Sequence, residues 1–180
     1  MRRFAIRGYG RCALPDRPLK ITEMSALSRI LLVEDAPDEW HLALSSLSET
    51  GLMGETTVVK DQGEALDFLQ ARGPFRRRPS GLPAVVVLGP SLKWFTALSL
   101  LKHVRADAAL RRIPVVIITA APDAQMIRSA YEHGVNSLVR SHEDAKIHAE
   151  RYAALALFWG WANEPPPGCL LQPKSQRRVP

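Results

Sequence analysis

From Arg29 to Trp161 the chain alternates short apolar runs with stretches in which apolar residues recur every three or four positions. Arg29–Val33 (RILLV) reads as a buried strand that ends in two acids, Glu34 and Asp35. Pro37 suits the first turn of a helix, and Trp40, Leu44 and Leu47 follow at helical spacing until Gly51. Thr56–Val59 is β-branched and predicts a second strand, and Glu64–Arg72 puts Ala65, Leu66 and Leu69 on one helical face before Gly73-Pro74. A loop of turn formers, Pro74–Pro83, carries Arg76, Arg77 and Arg78, a basic run that reads as a solvated loop. Ala84–Leu88 and Ile113–Ile118 are almost continuously apolar, as central parallel strands buried on both faces are, with a helix over Phe95–Arg105 between them. Pro114 stands at a strand start, where a missing N–H is tolerated. Asp123–His133 predicts a helix closed by Gly134, Val135–Val139 a fifth strand, and Glu143–Trp161 a last helix before Pro165-Pro166-Pro167.

Strands alternating with helices in this way predict right-handed βαβ units and a three-layer, doubly wound α/β domain. Ligands of such sheets sit at the carboxyl ends of the strands. The residues there are Glu34 and Asp35 after the first strand, Gly89 after the third, Thr119 after the fourth and Ser141 after the fifth. Neither the dinucleotide glycine fingerprint nor a P-loop is present in the chain, so those phosphate-binding readings lose their support.

Charge changes the picture less than its total suggests. The net of +6 invites a nucleic-acid reading. Residues 1–28 hold six basic and two acidic side chains, and residues 165–180 three basic and none acidic, which leaves 15 basic against 16 acidic over 29–164. The excess therefore belongs to the ends, which read as a basic N-terminal extension (1–28) and a Pro-rich basic C-terminal tail (162–180) around a body at 29–161. Met24 is an alternative start. Cys12 and Cys169 lie in those ends without a C-x-x-C or histidine cluster, which argues against a disulfide framework or a zinc site. No apolar run fits a signal peptide or a membrane span, and a cytoplasmic protein is expected.

The segments Leu31-Leu32-Val33-Glu34-Asp35-Ala36-Pro37-Asp38-Glu39, Gly63–Leu69, Arg112–Thr119 and Tyr131–Ser137 resemble the receiver domain of two-component response regulators. The resemblance spans 29–161 and implies a flavodoxin-like (βα)5 fold with strand order 2-1-3-4-5. The Gly73-Pro74-Phe75 loop and the ending Phe158–Pro167 are similar to the stand-alone regulators that accompany bacteriophytochrome histidine kinases. The family's chemistry uses an acid pair holding Mg²⁺, an aspartate nucleophile after the third strand, a hydroxyl after the fourth, a lysine after the fifth and a switch aromatic within the fifth. A carboxylate attacks a phosphoryl group whose charge the metal and the lysine neutralise.

Glu34, Asp35 and Thr119 match that scheme, but Gly89 stands at the nucleophile, Ser141 at the lysine and Leu138 at the switch aromatic. The expectation is a pseudo-receiver: a vestigial pocket of Glu34, Asp35, Gly89, Thr119 and Ser141, with no catalytic residue, no bound metal and no cofactor. Such a chain would act by phosphorylation-independent contact, as a homodimer through the helix 4–strand 5–helix 5 face or on a histidine kinase or other signalling protein. Trp159, Trp161 and Arg140 are the candidate interface residues. Two alternatives remain open. One is a hydrolase-like enzyme with Glu34 and Asp35 as acid and base, Thr119 or Ser141 as nucleophile and His142 or His103 as base. The other is a nucleic-acid binder acting through the tails, which no helix-turn-helix supports. His41, His133 and His148 read as surface helical residues.

Overall fold

The computed structural model describes residues 29–50, 56–79 and 81–169. The predicted basic N-terminal extension and the last 11 residues of the tail lie outside them. Five strands, β1 (Ile30–Val33), β2 (Thr56–Val59), β3 (Val85–Leu88), β4 (Val115–Thr119) and β5 (Ser137–Arg140), form one parallel sheet in the order β2-β1-β3-β4-β5. Helices α1 (Pro37–Glu49), α2 (Gln62–Leu69), α3 (Trp94–Ala106), α4 (Ala124–Glu132) and α5 (Ala145–Leu157) alternate with them, and a 3-10 turn covers Gly73–Phe75. The expected flavodoxin-like topology is the one observed.

The two-residue period of a strand divides the core into two layers. Leu31, Val33, Val86, Leu88, Val115 and Ile117 face α2, α3 and α4, where Phe68, Leu69, Leu100, Leu101 and Ala130 meet them. Ile30, Leu32, Val85, Val87, Val116 and Ile118 face α1 and α5, against Ala43, Leu47, Tyr152 and Ala156. The strand ends are therefore carried on a rigid, fully buried platform, because β1 and β3 are covered on both sides.

Local chemistry sets the helix starts. Asp61, Asp123 and Asp144 cap α2, α4 and α5 by accepting backbone N–H bonds from Glu64, Met126 and from both Lys146 and Ile147. α1 and α3 have no side-chain cap. Arg105 on α3 clamps the opposite end of the sheet, donating to the carbonyls of Gly134, Arg111 and Ile113 and to Asn136 Oδ1.

Three expectations shift in detail. The final helix, predicted to Trp161, ends as α-helix at Leu157 and widens into a π-turn over Phe158–Ala162. Residues expected to begin the tail pack against the body, since Pro165 and Cys169 are buried and the Leu82 N–H donates to Gly168 O at 2.9 Å. Arg78 turns inward from its loop to donate to the carbonyls of Phe68, Leu69 and Gly81 and stacks its guanidinium over the Phe68 ring, which leaves Arg76 and Arg77 exposed. Among the described residues no helix is long and apolar enough to cross a membrane.

Candidate functional site

The ends of β1 and β3 are neighbours: the Gly89 N–H donates to Val33 O at 2.8 Å and the Glu34 N–H to Val59 O at 2.9 Å. The two acids after β1 then part. Asp35 is exposed, whereas Glu34 is completely buried. The Glu34 side chain runs into the space above Gly89, so that a Cβ placed on that glycine would lie 2.0 Å from Glu34 Oε2, 2.8 Å from Cδ and 3.1 Å from Cβ. Its carboxylate accepts N–H bonds from Ala36 at 2.9 Å and from Ser91 at 3.3 Å. These donors lie in the segments that lead into α1 and α3, so Glu34 fastens both approaches to the end of β1. Burial pushes the Glu34 pKa up, and the two N–H bonds oppose that rise.

Thr119 is half-buried at the end of β4, paired with Arg140 across the β4–β5 ladder, and its carbonyl accepts the Ser141 N–H at 3.0 Å. Ser141 is also half-buried, and Arg151 on α5 donates to the carbonyls of Arg140 and Ser141. The guanidinium thus fastens the β5–α5 loop through its backbone. The structure brings Glu34 and Gly89 into direct contact and sets Thr119 and Ser141 side by side, with Asp35 at the rim. Leu138 packs against the α2–α3 side of the core.

A divalent cation of the kind the family uses does not fit these residues. Such an ion needs about six oxygens, yet Gly89 offers no side chain, and the Glu34 carboxylate that fills its place is committed to two backbone donors. No group of three or more metal-ligating side chains occurs among the described residues.

The hydrolase arrangement is likewise not assembled. His142 Nδ1 accepts the Asp144 N–H, and His103 Nδ1 lies 2.8 Å from Ser99 O on its own helix; no hydrogen bond joins either ring to Thr119 or Ser141. His41 is exposed beside Trp40, and His133 is bonded to Ser129 O. His148, expected on the surface, is instead buried between α5 and α1, its Nε2 3.1 Å from Glu39 Oε2. A lone histidine in a helical pattern gives no sign of a carboxylate on a distant helix.

Toward the other end of the sheet the two candidate interface tryptophans separate. Trp159 is half-buried against the α1–α5 side of the core and meets Phe158 edge to face at 5.0 Å. Trp161 and Phe158 are about half exposed. A groove of about 510 Å³ runs between the open edge of β5 and α5, lined by Ser137, Val139, Ala154, Leu155, Phe158 and Trp159. Tyr131 on α4 and Ile147 on α5 are also exposed, and Arg140 is exposed on β5 between those helices. Sequence patterning did not single out Phe95, the most exposed aromatic at the start of α3.

No family model matches the chain. A probable methanogenesis regulatory protein, FilR2 of Methanothrix harundinacea, is 32% identical over 142 residues, covering 77% of this chain and 88% of that protein. The bacteriophytochrome response regulator RtBRR is 39% identical, with a TM-score of 0.60 over 79% of this chain and 86% of its own. The chain belongs to the response regulators. The response regulator Rcp1 of Synechocystis is a further relative, 26% identical over 130 residues that cover 72% of this chain and 87% of Rcp1. The receiver is therefore related to phytochrome-associated regulators.

Proposed function

We propose that this receiver is a pseudo-receiver: it keeps the signalling fold, accepts no phosphoryl group and works through constitutive protein contact in the cytoplasm. The observation that carries the reading is the glycine at the end of β3. Gly89 provides no nucleophile, Ser141 no cation to neutralise a phosphoryl oxygen, and Leu138 no aromatic to swing between two positions. Without a group that changes charge, nothing biases the β4–α4 loop between two arrangements.

What remains is surface. Tyr131, Arg140 and Ile147 are exposed along α4, β5 and α5, and the groove beside Phe158 continues that face toward the π-turn. Exposed aromatics and arginine are the residue types that dominate interfaces. In this reading the face joins two copies of the chain or engages a histidine kinase or other signalling protein without phosphate transfer. Light scattering at micromolar concentration tests it: the expected result is a dimer whose mass is the same with and without a small-molecule phosphodonor. A monomer, or a mass that changes with the phosphodonor, contradicts the constitutive dimer.

A further inference from the structure

We propose that Glu34 is the permanent internal occupant of the receiver pocket, a carboxylate from β1 that takes the volume reserved for a side chain at position 89 and fixes the pocket in one state. The inference rests on the pseudo-receiver reading and adds what holds such a receiver still.

The geometry makes the two positions mutually dependent. Three atoms along the Glu34 side chain lie within 3.1 Å of where a Cβ on Gly89 would stand. The carboxyl end of the acid, at 2.0 and 2.8 Å, would have to move aside and its Cβ, at 3.1 Å, to give by a few tenths of an ångström, and the side chain that must move is fully buried. Leaving would also release the N–H groups of Ala36 and Ser91, which Glu34 bonds at the entrances to α1 and α3. One side chain thus ties together the end of β1, the start of α1 and the β3–α3 loop, the segments that a phosphoryl group or a divalent cation would have to rearrange. Glycine at position 89 is the condition for this arrangement, since any side chain there competes with Glu34 for the same space. Among the described residues no cationic side chain is seen paired with Glu34. The carboxylate is held by the backbone N–H groups of Ala36 and Ser91 and by the Ser91 side chain.

The test is a thermal-melting cycle on the full chain with Gly89→Asp, Glu34→Ala and the double variant, each with and without millimolar Mg²⁺. Expected are a wild-type midpoint unmoved by Mg²⁺, a lower midpoint for each single variant, and a double variant that recovers at least half of the Gly89→Asp loss and rises further with Mg²⁺. If Gly89→Asp does not fold, Gly89→Ala replaces it in the same cycle, with the recovery in the double variant as the readout. Midpoint losses that simply add, a Gly89→Asp midpoint equal to wild type, or a wild-type midpoint raised by Mg²⁺ would each overturn the inference. Stable phosphate uptake by the wild type would sink the pseudo-receiver reading instead and would leave the coupling between positions 34 and 89 to be judged by the cycle.

Discussion

Replacing Trp159 and Trp161 singly by alanine separates packing from docking at the end of the last helix. The two residues are two positions apart on a π-turn, yet Trp159 packs half-buried against the α1–α5 side of the core while Trp161 is 49% exposed. Truncating a fully buried tryptophan costs about 3–5 kcal/mol, and a half-buried one with a single edge-to-face aromatic partner should lose about 2 kcal/mol. For a chain of this size that is a fall in melting midpoint of roughly 4–8 °C. Trp161→Ala removes contact with solvent for the most part and should stay within about 0.5 kcal/mol of wild type. Urea denaturation followed by circular dichroism measures both, and light scattering on the same samples reads the dimer. Trp159→Ala should melt early, whereas Trp161→Ala should keep its stability and weaken self-association. Equal stability losses would refute the assignment of these side chains, and an intact dimer in Trp161→Ala would remove that residue from the interface.

Other perturbations follow from the same contacts. Tyr152 buries its hydroxyl without a hydrogen-bond partner, so Tyr152→Phe should raise unfolding stability by about 1 kcal/mol, and a loss in the urea midpoint would show that the hydroxyl is satisfied. The Glu34 pKa is raised above 4.5 by burial, so the folded state binds the proton more tightly than the unfolded chain. Stability from this group is therefore greatest below pH 4.5 and is lost as pH rises through the folded pKa; a wild-type stability curve parallel to that of Glu34→Gln between pH 4 and 7 would contradict it. Arg105→Ala frees three carbonyls and Asn136 Oδ1 from their donor and should cost about 2–3 kcal/mol in urea denaturation, and Arg105→Lys should rescue little because it lacks the planar fork. Phosphoryl uptake should be weak in Gly89→Asp/Ser141→Lys, because Glu34 competes with the new aspartate for the same space, and greater when Glu34→Asp shortens that acid by one methylene. Equal uptake in the two combinations, measured by intact mass, would show that Glu34 does not obstruct.

The sheet was legible because its evidence is local. Runs such as Ala84–Leu88 and Ile113–Ile118 are buried on two faces and read as central strands without any knowledge of their neighbours. The boundaries moved where backbone bonding, not apolarity, decides: Val135 is given to the turn after α4 by its N–H bond to Ala130 O, and β5 begins at Ser137. The π-turn was not legible, since Phe158–Trp161 continues the helical pattern of α5 and only the folded chain shows where the turn widens. In the pocket, the identity of each strand-end residue could be read off, but the relation between Glu34 and Gly89 could not. It arises from β1 and β3 lying side by side, which sends one acid inward and leaves its neighbour Asp35 exposed. The burial of His148 against Glu39 was hidden for the same reason: each residue looks like an ordinary surface residue on its own helix.

The central claim concerns phosphate, and intact-mass spectrometry tests it most directly. The wild-type chain is incubated with a small-molecule phosphodonor and Mg²⁺, beside a response regulator that has the β3 aspartate as positive control. The account predicts an adduct on the control and an unchanged mass for this chain. An acid-labile phosphate on the wild-type chain would contradict it.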